Sequence, residues 1–161
     1  MANPASRHEV EAWELVDFCF QGLILIEVSV LGGMCGLTDI WLPYWDGDRH
    51  GARLDLIIMI DGEGHYSKRT FRTSVDQQKA IDRRFNRECW RQEHKLVRLH
   101  SADKPAWEHL ISLALRICEV EPLQKFQLFS QSYGLPPHEA YRQEPMSFIG
   151  HRTSGSYFGR S

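Results

Sequence analysis

Four residues could do chemistry together if the fold gathers them. Asp61, Glu63 and His65 close the apolar run of the stretch LDLIIMIDGEGHY, and Asp39 lies in the preceding apolar segment LTDIWLPY. Residues two apart on a strand share a face, so Asp61 and Glu63 project together at the end of such a strand. A neighbouring strand carrying Asp39 would add a third carboxylate. Carboxylates gathered this closely raise one another's pKa unless a positive charge sits among them. Hard oxygen ligands favour Mg²⁺ or Mn²⁺. Such an ion can polarise a phosphodiester and lower the pKa of a bound water. His65 could then act as general base, or protonate the leaving oxygen. The plainer alternative is that Asp61-Gly62 is an ordinary turn signal and His65 a loop residue.

These residues need elements to hold them. In SRHEVEAWELVDFCF, Val10, Trp13, Val16 and Phe20 fall at helical steps, with Ser6 as N-cap and Glu9 completing a capping box. GLILIEVSVL, ending at Gly32-Gly33, predicts a strand, and LTDIWLPYW predicts a second, stopped by Pro43. After the turn chemistry of WDGDRHG, the unbroken apolar run of LDLIIMI predicts a third strand buried on both faces. A helix follows from Thr73 or Ser74 to about Gln92, with Val75, Ile81, Phe85 and Cys89 as its stripe. HKLVRLH predicts a fourth strand. Ser101 or Asp103 then caps a helix with Pro105 in its first turn and Trp107, Leu110, Ile111, Ala114, Ile117 and Cys118 on its buried face. The pattern weakens from about Glu121. The expected fold is therefore α/β (α+β), a single domain over 1–150 with a mixed central sheet of about four strands flanked by helices. Its core spans about 6–120, with a C-terminal extension to 150 and a mobile tail over 151–161.

Charge narrows the partner class. Residues 66–99 carry ten bases against four acids, a net of +6, which leaves −8 for the rest of a chain whose total is −2. That asymmetry is the footprint of a protein that meets phosphates, so nucleic acid is the expected partner. Lys68, Arg69, Arg72, Arg83, Arg84 and Arg87 are the candidate contacts. Four scattered cysteines without a CxxC pair predict reduced thiols in an intracellular compartment. No run is apolar enough to span a membrane, and the polar start MANPASRHEVEAWE predicts no secretion.

A strand bearing Asp, a turn, and an apolar strand ending in D-G-x-x-H resemble the PD-(D/E)XK nuclease superfamily. The likeness is to its very-short-patch-repair (Vsr-like) and EDxHD homing endonuclease branch. It runs through TDIWLP, LIIMIDGEGHY, QQKAIDRRFN and HKLVRLHSAD, about two-fifths of the chain. The resemblance implies a restriction-endonuclease-like fold and a Mg²⁺- or Mn²⁺-dependent endonuclease hydrolysing phosphodiester bonds. Asp39 and Asp61 would hold the metal, His65 would handle the proton, and Asp82 or Glu63 would assist. Lys79 would orient the water, and Glu11 or Glu14 would match the leading acid. DNA is the favoured substrate, with RNA as the alternative, and a homodimer is compatible with the sequence. The chain departs from the pattern at Met59, where many relatives hold an acid, and it has no lysine at the usual strand position. The RNA-binding domain of many organellar RNA-processing proteins resembles this strand too. Those departures support a rival expectation, a non-catalytic nucleic-acid-binding module on the same fold. A third is a protein-interaction subunit using FQLFSQSYGLPPHEAY.

Overall fold

The computed structural model describes residues 6–46, 52–62, 75–130 and 149–150, and all that follows concerns these. Helix α1 (Arg7–Cys19) begins at the expected capping box: Ser6 Oγ accepts from the Glu9 backbone N–H, and Glu9 Oε2 accepts from the Ser6 N–H. Strands β1 (Leu25–Val28), β2 (Thr38–Tyr44) and β3 (Arg53–Asp61) form an antiparallel meander. Helix α2 (Val75–Arg91) crosses over to β4 (Lys95–His100), which runs parallel to β3. Helix α3 (Lys104–Val120) leads to β5 (Gln127–Phe129), parallel to β4. A two-residue strand, β6 (Ile149–Gly150), completes the sheet order β1-β2-β3-β4-β5-β6. The mixed α/β class stands, but the sheet exceeds the four strands expected. The core also runs past residue 120, because Phe126 and Leu128 are fully buried in it.

Strand alternation sorts the helices onto two faces. Ile58, Ile60, Val97 and Leu99 pack with Val16 of α1 and Trp107, Leu110 and Ala114 of α3. Ile57 and Leu96 turn the other way, onto Phe85 and Cys89 of α2. Being covered on both sides is why LDLIIMI reads as a continuous apolar run. With β3, β4 and β5 parallel and consecutive, crossovers over opposite faces have opposite hands. One of them is of the rare left-handed kind.

Pro43 does not stop β2. The β2–β3 register moves from Leu42↔Leu56 to Tyr44↔Arg53, so Leu54 and Asp55 together oppose Pro43 alone. A bulge opposite proline asks for no ladder bond from its missing N–H. Asp55 takes the positive φ of 59° that the bulge requires. Three donors repay that geometry: Trp41 Nε1 at 3.0 Å, the Arg53 guanidinium at 2.6 Å and His94 Nδ1 at 2.6 Å. Burial opposes ionisation of Asp55, but these partners outweigh it and hold its carboxyl at about 2.

Candidate functional site

The parallel pairing of β3 with β4 sets Met59 beside Arg98 and Asp61 beside His100. The antiparallel register of β2 with β3 carries Asp39 opposite Met59. Asp39, Met59 and Arg98 therefore form one row across three strands, with Asp61 one pleat further along the same face. The site lies at the carboxyl ends of the parallel strands, where open α/β sheets bind ligands.

Arg98 is its centre. The side chain is 1% exposed, and so is that of Asp61. Nε donates to Asp61 Oδ2 at 2.7 Å and Nη2 to Asp61 Oδ1 at 2.8 Å, a bidentate pair. Nη2 also donates to Asp82 Oδ1 at 3.1 Å, and Nη1 to Asn86 Oδ1 at 2.7 Å and to the Asp82 carbonyl at 3.5 Å. These bonds number as many as the five N–H donors of a guanidinium. The Phe85 ring lies 5.8 Å from the guanidinium carbon, close enough for a cation–π contact. Helix α2 supplies its share at helical spacing: Gln78, Asp82 and Asn86 are four apart, and Gln78 Nε2 donates to Asp82 Oδ1 at 3.0 Å. Gln127 of β5 anchors the far side by donating to the Asn86 carbonyl at 2.7 Å.

Asp39 stands apart from this cage. Its Oδ2 accepts from the Ile60 N–H at 2.8 Å, and its own N–H points at Met59 Sδ, 3.4 Å away. Burial pushes its carboxyl up to about 7. The nearby charges of Asp61 and Glu9 add to that shift, against the Ile60 bond and Arg98.

The expected residues thus divide. Asp61 and Asp82 meet on Arg98, while Asp39 lies on the same face of the sheet and is bonded instead to the Ile60 N–H. Lys79, Arg83, Arg84 and Arg87 lie on α2. Glu63, His65, Lys68, Arg69 and Arg72 fall outside the described residues. Asp82, expected to assist at the site, is a buried partner of Arg98. Two expectations need correction. The α1 acid near Asp39 is Glu9, whereas Glu11 pairs with Arg7 and Lys104 and Glu14 faces solvent. Lys95 and Arg98, counted in the basic segment, are buried and spend their charge internally: Lys95 Nζ donates to the Leu54 carbonyl at 2.8 Å. Sequence reasoning missed Arg98, Asn86 and Gln127 altogether. An arginine inside the apolar strand HKLVRLH was the one available signal, because buried arginines require partners.

Among the described residues the donor set does not suit Mg²⁺ or Mn²⁺; Glu63 and His65 lie outside them. Both Asp61 oxygens already accept from Arg98, and the thioether of Met59 is a poor ligand for a hard cation. Among the described residues no group of three or more His, Cys, Asp or Glu side chains is placed to hold a metal ion. None of their helices is long and apolar enough to cross a membrane, and all four cysteines are free thiols. The chain matches no protein-family model, no curated protein and no solved structure.

Proposed function

We propose that this chain is a nucleic-acid-binding module on an endonuclease-like core, with the guanidinium of Arg98 occupying the place of a catalytic cation. One observation carries this reading: Arg98 takes both oxygens of Asp61 and one of Asp82, while Met59 sits between Asp39 and Arg98 in the same row. The carboxylates that could gather a divalent ion are thereby spent on holding α2 against β3 and β4. On α2, Arg84, Arg87 and Arg91 are exposed and Lys79 and Arg83 half-buried, beside the exposed Gln77, Ala80 and Ile81. Lys79, Arg83 and Arg87 repeat at four-residue steps, and Arg84 and Arg91 flank them. Glu88, the acid among them, is bonded to Arg91 at 2.7 Å. A rigid helix with this charge is suited to phosphate contacts that fix register without reading sequence.

Fluorescence anisotropy with labelled single-stranded DNA, duplex DNA and RNA tests the reading. Binding is expected at about 50 mM salt and should weaken steeply by about 200 mM. Arg83→Gln and Arg87→Gln should each lower the salt slope by about one. Incubation with Mg²⁺ or Mn²⁺ should leave the nucleic acid intact. Absence of binding at low salt would refute the module. Metal-dependent cutting abolished by Asp61→Asn would establish the second reading, a metal-dependent endonuclease. That reading draws on Asp39, a carboxyl raised by burial and by two neighbouring acids, which an added cation would relieve.

A further inference from the structure

The connection between β1 and β2 takes no part in the Arg98 network, yet it lies against the basic helix. Leu31 is buried in the cluster that holds Phe85 and Cys89 of α2, and Cys35 packs against the same cluster. Gln92, the residue after α2, donates from Nε2 to the Leu31 carbonyl at 3.1 Å. Between these anchors runs a single 3-10 turn, Gly33–Cys35, flanked by Gly32 and Gly36. Gly32 (φ 73°, ψ −175°) and Gly36 (φ 76°, ψ −162°) adopt a conformation that is essentially glycine's alone. Gly33 and Gly36 are exposed, and among the described residues no atom lies within 4 Å of where a Cβ would stand on either. Main chain bared in this way lets a ligand approach more closely than a side chain would allow.

The charge beside this loop is positive. Burial pushes the Cys35 thiol up, helped by Glu88, and Arg84 and Arg91 of α2 are near enough to oppose that shift. Glu88 is spent on Arg91 at 2.7 Å and on the Gln92 amide at 3.1 Å. Arg84 is exposed and has no carboxylate partner among the described residues. An uncompensated guanidinium therefore stands next to an open loop without side chains at Gly33 and Gly36.

We propose that a phosphodiester group of bound nucleic acid sits between this loop and Arg84. Its oxygens would take the guanidinium, whose planar fork matches them, while the sugar-phosphate chain passes over Gly33 and Gly36. The site rests on the reading of this chain as a nucleic-acid-binding module and adds a second element to its surface. Lys79, Arg83 and Arg87 form one row on α2, and Arg84 lies toward the loop, so a strand crossing the helix meets both. A cationic ligand would be repelled by Arg84. Contacts of this kind hold the backbone and are indifferent to base sequence.

Two-dimensional NMR of the full chain tests the site, with a labelled single-stranded oligonucleotide followed in parallel by anisotropy. At about 50 mM salt the Gly32, Gly33 and Gly36 amide signals should move saturably as the oligonucleotide binds. Arg84→Gln should shrink those shifts and lower the salt slope by about one. Gly33 has a φ of 59°, a conformation that asparagine and aspartate both tolerate, so Gly33→Asn and Gly33→Asp share whatever strain arises. The aspartate should bind about three- to tenfold more weakly than the asparagine, and the gap should narrow by about 150 mM salt. Oligonucleotide binding that leaves the glycine signals unmoved, with the two Gly33 variants equal, overturns the site and leaves the module standing. Inorganic phosphate at the same phosphate concentration should leave the signals in place. If it moves them equally, the loop takes a free anion and the proposal falls. No oligonucleotide binding at all would refute the module, and this inference with it.

Discussion

Replacing Arg98 by methionine removes one charge from a place where five acceptor contacts converge. The substitution keeps an unbranched side chain of comparable reach, so little of its effect comes from a void. What remains is Asp61 at 1% exposure and Asp82 at 4%, facing each other without a cation. Removing one partner of a buried ion pair costs about 3–5 kcal/mol, because the orphaned charge stays desolvated. In a chain of this length each kcal/mol lowers Tm by about 2–4 °C, so a fall of roughly 6–20 °C is expected. The sign of the pH dependence gives a second check. Without the guanidinium, protonating one carboxyl relieves both the burial of its charge and its repulsion of the other. The variant should therefore recover toward wild type as pH falls from about 7 to 5. Urea denaturation followed by circular dichroism at both pH values measures each quantity. The double variant Asp61→Asn with Arg98→Met should be more stable than Arg98→Met alone. A loss under about 1 kcal/mol, or one that does not narrow on acidification, would refute the account of Arg98 as the cation that holds this site closed.

Two other carboxylates give predictions of opposite sign. Asp39, whose folded carboxyl is raised to about 7 from 3.8, binds its proton more tightly when folded, so stability should decline as pH rises from about 4 to 7. Asp39→Asn should flatten that slope and exceed wild type in urea midpoint above pH 7. Asp55 is held at about 2, below its ordinary 3.8, so its contribution is present above about pH 4 and lost as pH falls toward 2. Asp55→Asn keeps a side chain that tolerates the positive φ but loses charge-assisted bonds, costing on the order of 1.5–3 kcal/mol at pH 7. That deficit should vanish in acid denaturation near pH 2.

The parts of the fold written in local pattern were readable from sequence. The Ser6–Glu9 box, the apolar run of β3 and the stripe on α3 each announce an element through neighbours three or four residues away. β5 did not, because three residues are too few for any period and its burial comes from β4 and from the core under α1 and α3, which Leu128 joins. Pro43 misled for a related reason: whether a proline ends a strand depends on what lies across from it, and here that is a bulge. At the site, Asp39 and Asp61 were legible as carboxylates near strand ends. The state of Asp61 was not, since it is decided by Arg98, 37 residues away, which only its place inside the apolar strand HKLVRLH sets apart from the arginines of α2.

The central network also has an order in time. Its members come from positions 61, 82, 86, 98 and 127, so a chain emerging from the ribosome shows its two aspartates well before the arginine that reconciles them. Until Arg98 appears, Asp61 and Asp82 repel, which opposes the packing of Phe85 and Cys89 of α2 on Ile57 of β3. Until Gln127 follows, Asn86 lacks its tie to the far side of the sheet. The first two-thirds of the chain are thus kept from closing early, and the strand that brings the charge also brings the register. Such a molecule is completed late and cooperatively, and a nascent fragment ending before β4 should remain open to protease.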